Sequence, residues 1–170
     1  MLKTMETNIQ PPCQQECPIH QDARGYLHAI ARGELDRALE IVRDTNPLPV
    51  ICATICAHPC ETKCRRGKVD QALSIRALKR VAVEQGKTPS PTKIQPLQQK
   101  VAVIGSGPAG LTAAHDLARL GYSVTIFERD SAPGGAMTNF LPIYRLPREL
   151  VNKDIEAITA LGVEIKTNQE

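Results

Sequence analysis

The first 21 positions are mostly polar, and a helical rhythm sets in only after Asp22, where Ala23, Tyr26, Leu27 and Ile30 share one face. Asp22 is placed to cap that helix and Gly33 to end it. A second apolar stripe, Leu35, Ala38, Leu39 and Val42, predicts another helix that stops at Asn46-Pro47-Leu48-Pro49. Joined at Arg32-Gly33, the two make a helical hairpin. Leu73, Ile75, Leu78, Ala82 and Val83 form the apolar side of a third helix ending at Gly86. Residues 87–100 hold three prolines and no acid, which reads as a semi-extended linker.

Beyond residue 100 the period changes. Val101–Ile104 and Val124–Phe127 are short continuous apolar runs of the buried-strand kind, and Leu111, Ala114, Leu117 and Leu120 keep helical spacing between them up to Gly121. Leu150, Ile155, Ile158 and Leu161 predict a helix over 147–161, and Val163–Lys166 a further strand. The pattern therefore predicts an α+β chain in three parts. Residues 1–86 form an all-helical domain, 87–100 a linker, and 101–170 the start of an α/β Rossmann-type domain. A doubly wound sheet has about five or six strands, so three leave an edge open. A C-terminal part of the same protein, rather than a second polypeptide, is expected to complete it.

Composition narrows the function. The chain has 170 residues, a net charge of +3 and 3% aromatics, so its core must rest on Leu, Ile, Val and Ala. So mild a charge does not point to nucleic acid, and no run approaches the ~18 apolar residues of a membrane helix. With no secretory-type leader, the expectation is a cytoplasmic protein without a membrane partner. In a reducing compartment, closely spaced cysteines are ligands before they are disulfides.

All six cysteines lie in two patches: Cys13-x3-Cys17-Pro18, and Cys52, Cys56, Cys60 and Cys64 at four-residue intervals. Cys-x3-Cys-Pro is how a bacterial ferredoxin ligand run ends. On one continuous helix Cys52 and Cys64 would stand roughly 18 Å apart, too far for one cluster. Pro59 is expected to break that helix and let the thiolates curl round a centre. Eight Lys or Arg against three acids between Glu61 and Lys87 either stabilise an anionic cluster, dock an acidic partner, or form a solvated helix face. The last two roles and the first remain open for Arg76, Lys79 and Arg80. A structural zinc fits the Cys-x3-Cys spacing too. His58 reads as an exposed loop residue, and His20, His28 and His115 as surface or packing residues. No Ser-His-Asp or paired-carboxylate arrangement stands out, so no catalytic residue is assigned.

The second motif is Gly105-Ser106-Gly107-Pro108-Ala109-Gly110 between a strand and a helix, with Glu128 at the end of the next strand. Gly105 permits the tight turn, Gly107 lets a pyrophosphate approach the backbone, and Gly110 lets helix and strand pack closely. Glu128 is expected on the ribose hydroxyls, followed by Arg129. The pair Gly134-Gly135 lets the backbone pass close to a long cofactor, which favours FAD over a nicotinamide nucleotide.

Taken in order, Cys-x3-Cys-Pro, Asn46-Pro-Leu-Pro49, the cysteine patch, Ser74-Ile-Arg-Ala-Leu78, Gly105–Gly110, Glu-Arg-x4-Gly-Gly and Tyr144-Arg-Leu-Pro147 carry a resemblance. The chain resembles the N-terminal part of the glutamate synthase small subunit and of dihydropyrimidine dehydrogenase. The resemblance covers nearly the whole chain. It implies an α-helical ferredoxin-like domain with [4Fe-4S] clusters, then a flavoprotein that takes hydride from NADPH onto FAD and passes electrons to a partner active site. By position it implies FAD contacts at Gly105 to Gly110, Glu128, Gly134, Gly135 and Arg145. It also implies that Cys17, Cys56 and Cys60 ligate one cluster and Cys13 and Cys64 another, with Cys52 matching a cysteine that does not ligate. Two further cysteines that the family carries before Cys13 are absent, and Lys79 stands where the family has a Glu or Gln ligand. An ammonium cannot ligate. Six thiolates divide most simply into one cubane and two spare, with Cys17, Cys56 and Cys60 joined by Cys64, Cys13 or Cys52. Two clusters would need ligands from another chain.

The expected function is an electron-relay piece of an NAD(P)H oxidoreductase, glutamate synthase-like, serving a redox partner or catalytic subunit. The nicotinamide nucleotide is expected to bind beyond residue 170, so the chain alone should not oxidise NADPH. The alternative is a non-catalytic electron-transfer or scaffold subunit of a larger redox complex.

Overall fold

The computed structural model describes residues 10–87 and 95–169. Up to residue 87 every regular element described is helical: α1 Pro12–Gln15, α2 Ala23–Ala31, α3 Leu35–Thr45, α4 Pro49–Ile55, α5 Pro59–Thr62, a 3-10 turn Arg65–Lys68, and α6 Ile75–Gln85. The second part alternates: β1 Lys100–Ile104, α7 Pro108–Arg119, β2 Ser123–Phe127, α8 Ala136–Asn139, α9 Arg148–Thr159 and β3 Glu164–Lys166. The three strands are parallel in the order β1-β2-β3, with Val101 opposite Val124 and Ile126 opposite Ile165. The chain is thus mixed, helices followed by a small parallel sheet. Half of the expected linker, residues 88–94, lies outside the described residues, as does the polar start at 1–9.

Local signals set the hairpin. The Asp22 carboxylate accepts the Gly25 amide at 2.9 Å, and Gly33 ends α2 at φ +76°. Tyr26, Ala29, Ala38, Val42, Ile75 and Ala82 close a first core between α2, α3 and α6, and the Tyr26 hydroxyl donates to the Ile75 carbonyl at 3.2 Å. Leu73 is exposed instead of inward, because it stands two residues before α6 begins.

A second core lies between the sheet and its helices, among them Leu111, Ala114, Ile126, Val151, Ile155 and Ile158. Leu120 keeps the helical spacing but follows the last turn of α7, and it is exposed rather than inward. In α9 the buried face is Val151, Asp154, Ile155 and Ile158, with Leu150 and Leu161 only partly covered.

Leu48 and Ile51, from the helical part, belong to this second core. Beside them the Asp154 carboxylate, fully buried on α9, accepts the Val50 and Ile51 amides of α4 at 3.2 and 2.9 Å. Those amides are among the unpaired donors of a helix N-terminus, so a carboxylate from the sheet part caps a helix of the cysteine part. Arg119 adds a bond to the Asp44 carbonyl at 3.2 Å.

Candidate functional site

Packing of α1 on α5 brings Cys13 and Cys17 to the second cysteine patch. Pro59 does break the helix: α4 ends at Ile55, Cys56 is extended, and His58 turns left-handed at φ 47°, ψ 50°. A residue before proline ordinarily goes extended. Here the left-handed step reverses the chain and returns Cys60 towards Cys56, while the His58 amide donates to the Cys56 sulfur at 3.3 Å. The His58 side chain is 38% exposed, with its Nδ1 3.1 Å from Glu61.

Electrostatic proximity links the six thiols: Cys60 lies near Cys17 and Cys56, Cys52 near Cys56, and Cys13 near Cys64. Cys13, Cys17 and Cys60 also all act on Tyr26, so the thiols form one connected patch. Burial pushes the Cys60 thiol up to about 11; Lys79 opposes this, while Cys17, Glu61 and Cys56 add to it. Burial likewise raises Cys13 and Cys52. Thiols so raised are protonated at neutral pH, and a metal must displace those protons to bind. Among the described residues, no three Cys, His, Asp or Glu side chains are placed to hold a single metal ion.

The three cations of α6 divide. Lys79 is 7% exposed, within electrostatic reach of Cys52 and Cys60. Arg76 donates its Nη1 to the Cys56 carbonyl at 2.8 Å, and its amide to Glu61 at 2.9 Å. Arg80 points outward and pairs with Glu84 at 2.6 Å. A solvated helix face describes Arg80 alone. The other two bring positive charge to the thiols, which suits an anionic cluster.

At the C-terminal ends of β1 and β2, where open α/β sheets bind ligands, a cleft of about 1040 Å³ is lined by Ile104, Gly105, Gly107, Glu128, Arg129, Gly135 and Phe140, among others. A Cβ on Gly110 would stand 2.0 Å from the Gly105 carbonyl oxygen, so only glycine lets α7 start this close to the strand. Gly135 adopts φ +54°, and a Cβ there would come within 2.9 Å of the Gly107 Cα. The two glycine segments therefore touch and present bare backbone to the cleft. Pro108 opens α7 directly behind Gly107, so the first-turn amides of a long helix face this end of the sheet.

Ser106 joins these segments. It is fully buried, its amide and hydroxyl donate to Glu128 at 2.7 and 2.5 Å, and its hydroxyl accepts the Gly134 amide at 3.1 Å. The other Glu128 oxygen accepts the Asp130 amide at 2.9 Å. Burial raises this carboxyl, but the Asp130 and Ser106 bonds outweigh it and leave the acid below its ordinary value. Glu128 thus stays ionised at the cleft wall and also ties the two glycine segments together. The sequence pointed to the acid without its second task.

Arg129 lines the cleft and is largely exposed. Arg145 is exposed and does not line the cleft. Arg148, which sequence reasoning passed over, donates to the Met137 and Leu141 carbonyls at 2.7 and 3.1 Å and fixes the segment beside Phe140. The six cysteines and the glycine turn thus occupy separate places, bridged by α4 and α9. Among the described residues no helix is long and apolar enough to cross a membrane.

Comparison with known proteins meets the same two regions. Residues 7–90 match the family described as dihydropyrimidine dehydrogenase domain II, 4Fe-4S cluster, and residues 103–159 match the NAD(P)-binding Rossmann-like domain. The chain is 40% identical to the NADP(+)-dependent formate dehydrogenase subunit beta of Moorella thermoacetica, covering 97% of this chain and 27% of that protein. It is 42% identical to the NADPH-Fe(3+) oxidoreductase subunit beta of Geobacter sulfurreducens, covering 91% and 24%. With the NAD-dependent dihydropyrimidine dehydrogenase subunit PreT of Escherichia coli it shares 36%, covering 94% and 40%. The chain therefore spans 24–40% of the length of these relatives. Its cysteine-rich part is thus similar to the dihydropyrimidine dehydrogenase-type 4Fe-4S domain, and the part that follows is similar to an NAD(P)-binding Rossmann-like domain.

Proposed function

We propose that this chain is the electron-relay portion of an NAD(P)H-dependent iron-sulfur flavoprotein, serving a redox partner or catalytic subunit. FAD sits on the glycine turn, and a [4Fe-4S] cluster is held by Cys17, Cys56 and Cys60 with Cys52 as fourth ligand. When bound, these groups supply the change between two-electron and one-electron chemistry. The carrying observation is that Cys52 and Cys60, beside the buried Lys79, belong to a helical part that α4 and Asp154 tie to the body forming the glycine cleft.

Each residue has a task in this reading. Lys79 and Arg76 offset the charge of four thiolates, and the His58 amide donates to one of them. Cys52 takes the position that a Glu or Gln ligand holds elsewhere in the family, because Lys79 cannot ligate. Gly107, Gly135 and the α7 N-terminus receive the pyrophosphate, and Glu128 the adenosine ribose. The second glycine pair supports a flavin over a nicotinamide nucleotide in this cleft. NAD(P)H binds outside this chain, whose residues alone give no steady NADPH turnover. The names of the relatives, with their nicotinamide donors and subunit composition, support the class of reaction.

Anaerobic purification with iron, sulfide, zinc and flavin analysis tests the reading. The expected result is about four irons and four sulfides per chain, with FAD retained through gel filtration. Zinc in place of iron, or no inorganic sulfide, overturns it. A colourless, metal-poor protein is the result for a non-catalytic scaffold subunit.

A further inference from the structure

Cys64 is the last cysteine in the chain, and the ten residues that follow it, Arg65 to Ser74, are all exposed. Apolar side chains in such a loop ordinarily turn inward. Here Val69 is 81% exposed and Leu73 43%. Leu73, Leu78 and Val81 line a groove of about 800 Å³ together with Arg66, Asp70 and Gln71, among others. Lys63, Arg65 and Lys68 are exposed on the same stretch, and among the described residues none has a carboxylate partner; Arg66 is paired with Asp70. An apolar strip with unneutralised cations beside it, following directly on Cys64, is a different surface from a uniformly solvated helix face.

We propose that this face docks an acidic electron-carrier protein, whose redox centre is brought close to Cys64 and Cys13. The inference rests on the relay reading and adds the exit side and the partner's charge. Electron transfer falls steeply with distance, so a carrier must seat on exposed surface beside the thiols, and Arg65 to Ser74 follow directly on Cys64. The cations steer an acidic partner and set its orientation, while Val69 and the groove give the small apolar contact typical of short-lived redox encounters. A reduced cluster held by the thiols would give one electron to the carrier's oxidised centre, with no bond formed or broken and no proton moved.

Two haem proteins of opposite charge serve as probes: the acidic soluble domain of cytochrome b5 and basic cytochrome c. Binding to the cofactor-loaded chain is measured by calorimetry, and reoxidation of the dithionite-reduced chain by anaerobic stopped flow. Cytochrome b5 is expected to bind measurably at about 20 mM salt and to weaken roughly tenfold by about 200 mM. The double variant Arg65→Glu/Lys68→Glu abolishes that salt dependence and reverses the preference towards cytochrome c. Val69→Ser weakens binding and leaves the salt dependence intact. Binding of cytochrome b5 that ignores both salt and charge reversal overturns the docking face. A chain without inorganic sulfide overturns the relay reading instead, and the calorimetric comparison still decides the surface.

Discussion

Around the glycine turn, backbone atoms already stand in position: Gly110 touches Gly105, Gly135 touches Gly107, and Ser106 and Glu128 bind the segments together. Around the cysteines the arrangement is looser. Two of the thiol-bearing helices, α1 and α5, are four residues long, and the buried thiols are raised towards their neutral form. A nucleotide-binding turn can be built from the chain alone, because its donors are main-chain amides fixed by sterics. A cluster site is finished by its inorganic core, which supplies the bonds that hold the thiolates together. The first is sensitive to an added methyl group, the second to a lost sulfur.

The largest effect separates the two directly. Gly110→Ala places a methyl group against backbone that cannot yield, and should cost roughly 2–4 kcal/mol, lowering the melting temperature in a calorimetric scan and abolishing flavin binding. Replacing Cys60 or Cys52 by Ser should remove most iron and sulfide while flavin content and the sheet remain. Cys64→Ser should keep the cluster. If Cys52→Ser retains full iron and Cys64→Ser loses it, the ligand set is misassigned.

Asp154 sharpens the comparison at the seam. Burial raises its carboxyl from 3.8 to about 6, against the opposing bonds from Ile51 and Val50 and the charge of Arg43. The folded chain then holds a proton that the unfolded chain has released between those values. Stability from this group is therefore fully present below 3.8 and lost as pH rises through about 6. The difference in unfolding free energy between wild type and Asp154→Asn should change by up to about 3 kcal/mol between pH 4 and pH 7. Asp154→Ala, which leaves two buried amides without an acceptor, should cost about 1–3 kcal/mol at pH 4. Glu84→Gln, at an exposed pair on α6, should shift urea midpoints by less than about 0.5 kcal/mol in stability.

Signals that act over a few residues were legible in the sequence. Asp22, Gly33, Pro59 and the glycine turn each fix dihedrals or caps locally, and the elements follow from them. The burial of Lys79 and of Asp154 escaped notice, although they share a signature. Lys79 lies between Ile75 and Ala82 on the buried face of α6, and Asp154 between Val151 and Ile158 on that of α9. A charged residue on an apolar stripe announces a buried partner but does not say which one. For Asp154 that partner lies about a hundred positions away in the chain. Leu120 erred in the opposite direction, since periodicity continued past the point where the helix stopped.

Because Leu48 and Ile51 contribute to the core beneath the sheet and Asp154 closes the start of α4, neither half is a free-standing cassette. A graft that joined the cysteine-rich half to a foreign nucleotide-binding fold would have to import α9, or rebuild its face, before the pieces could register. Evolutionary exchange between such proteins should accordingly carry both halves as one inheritance.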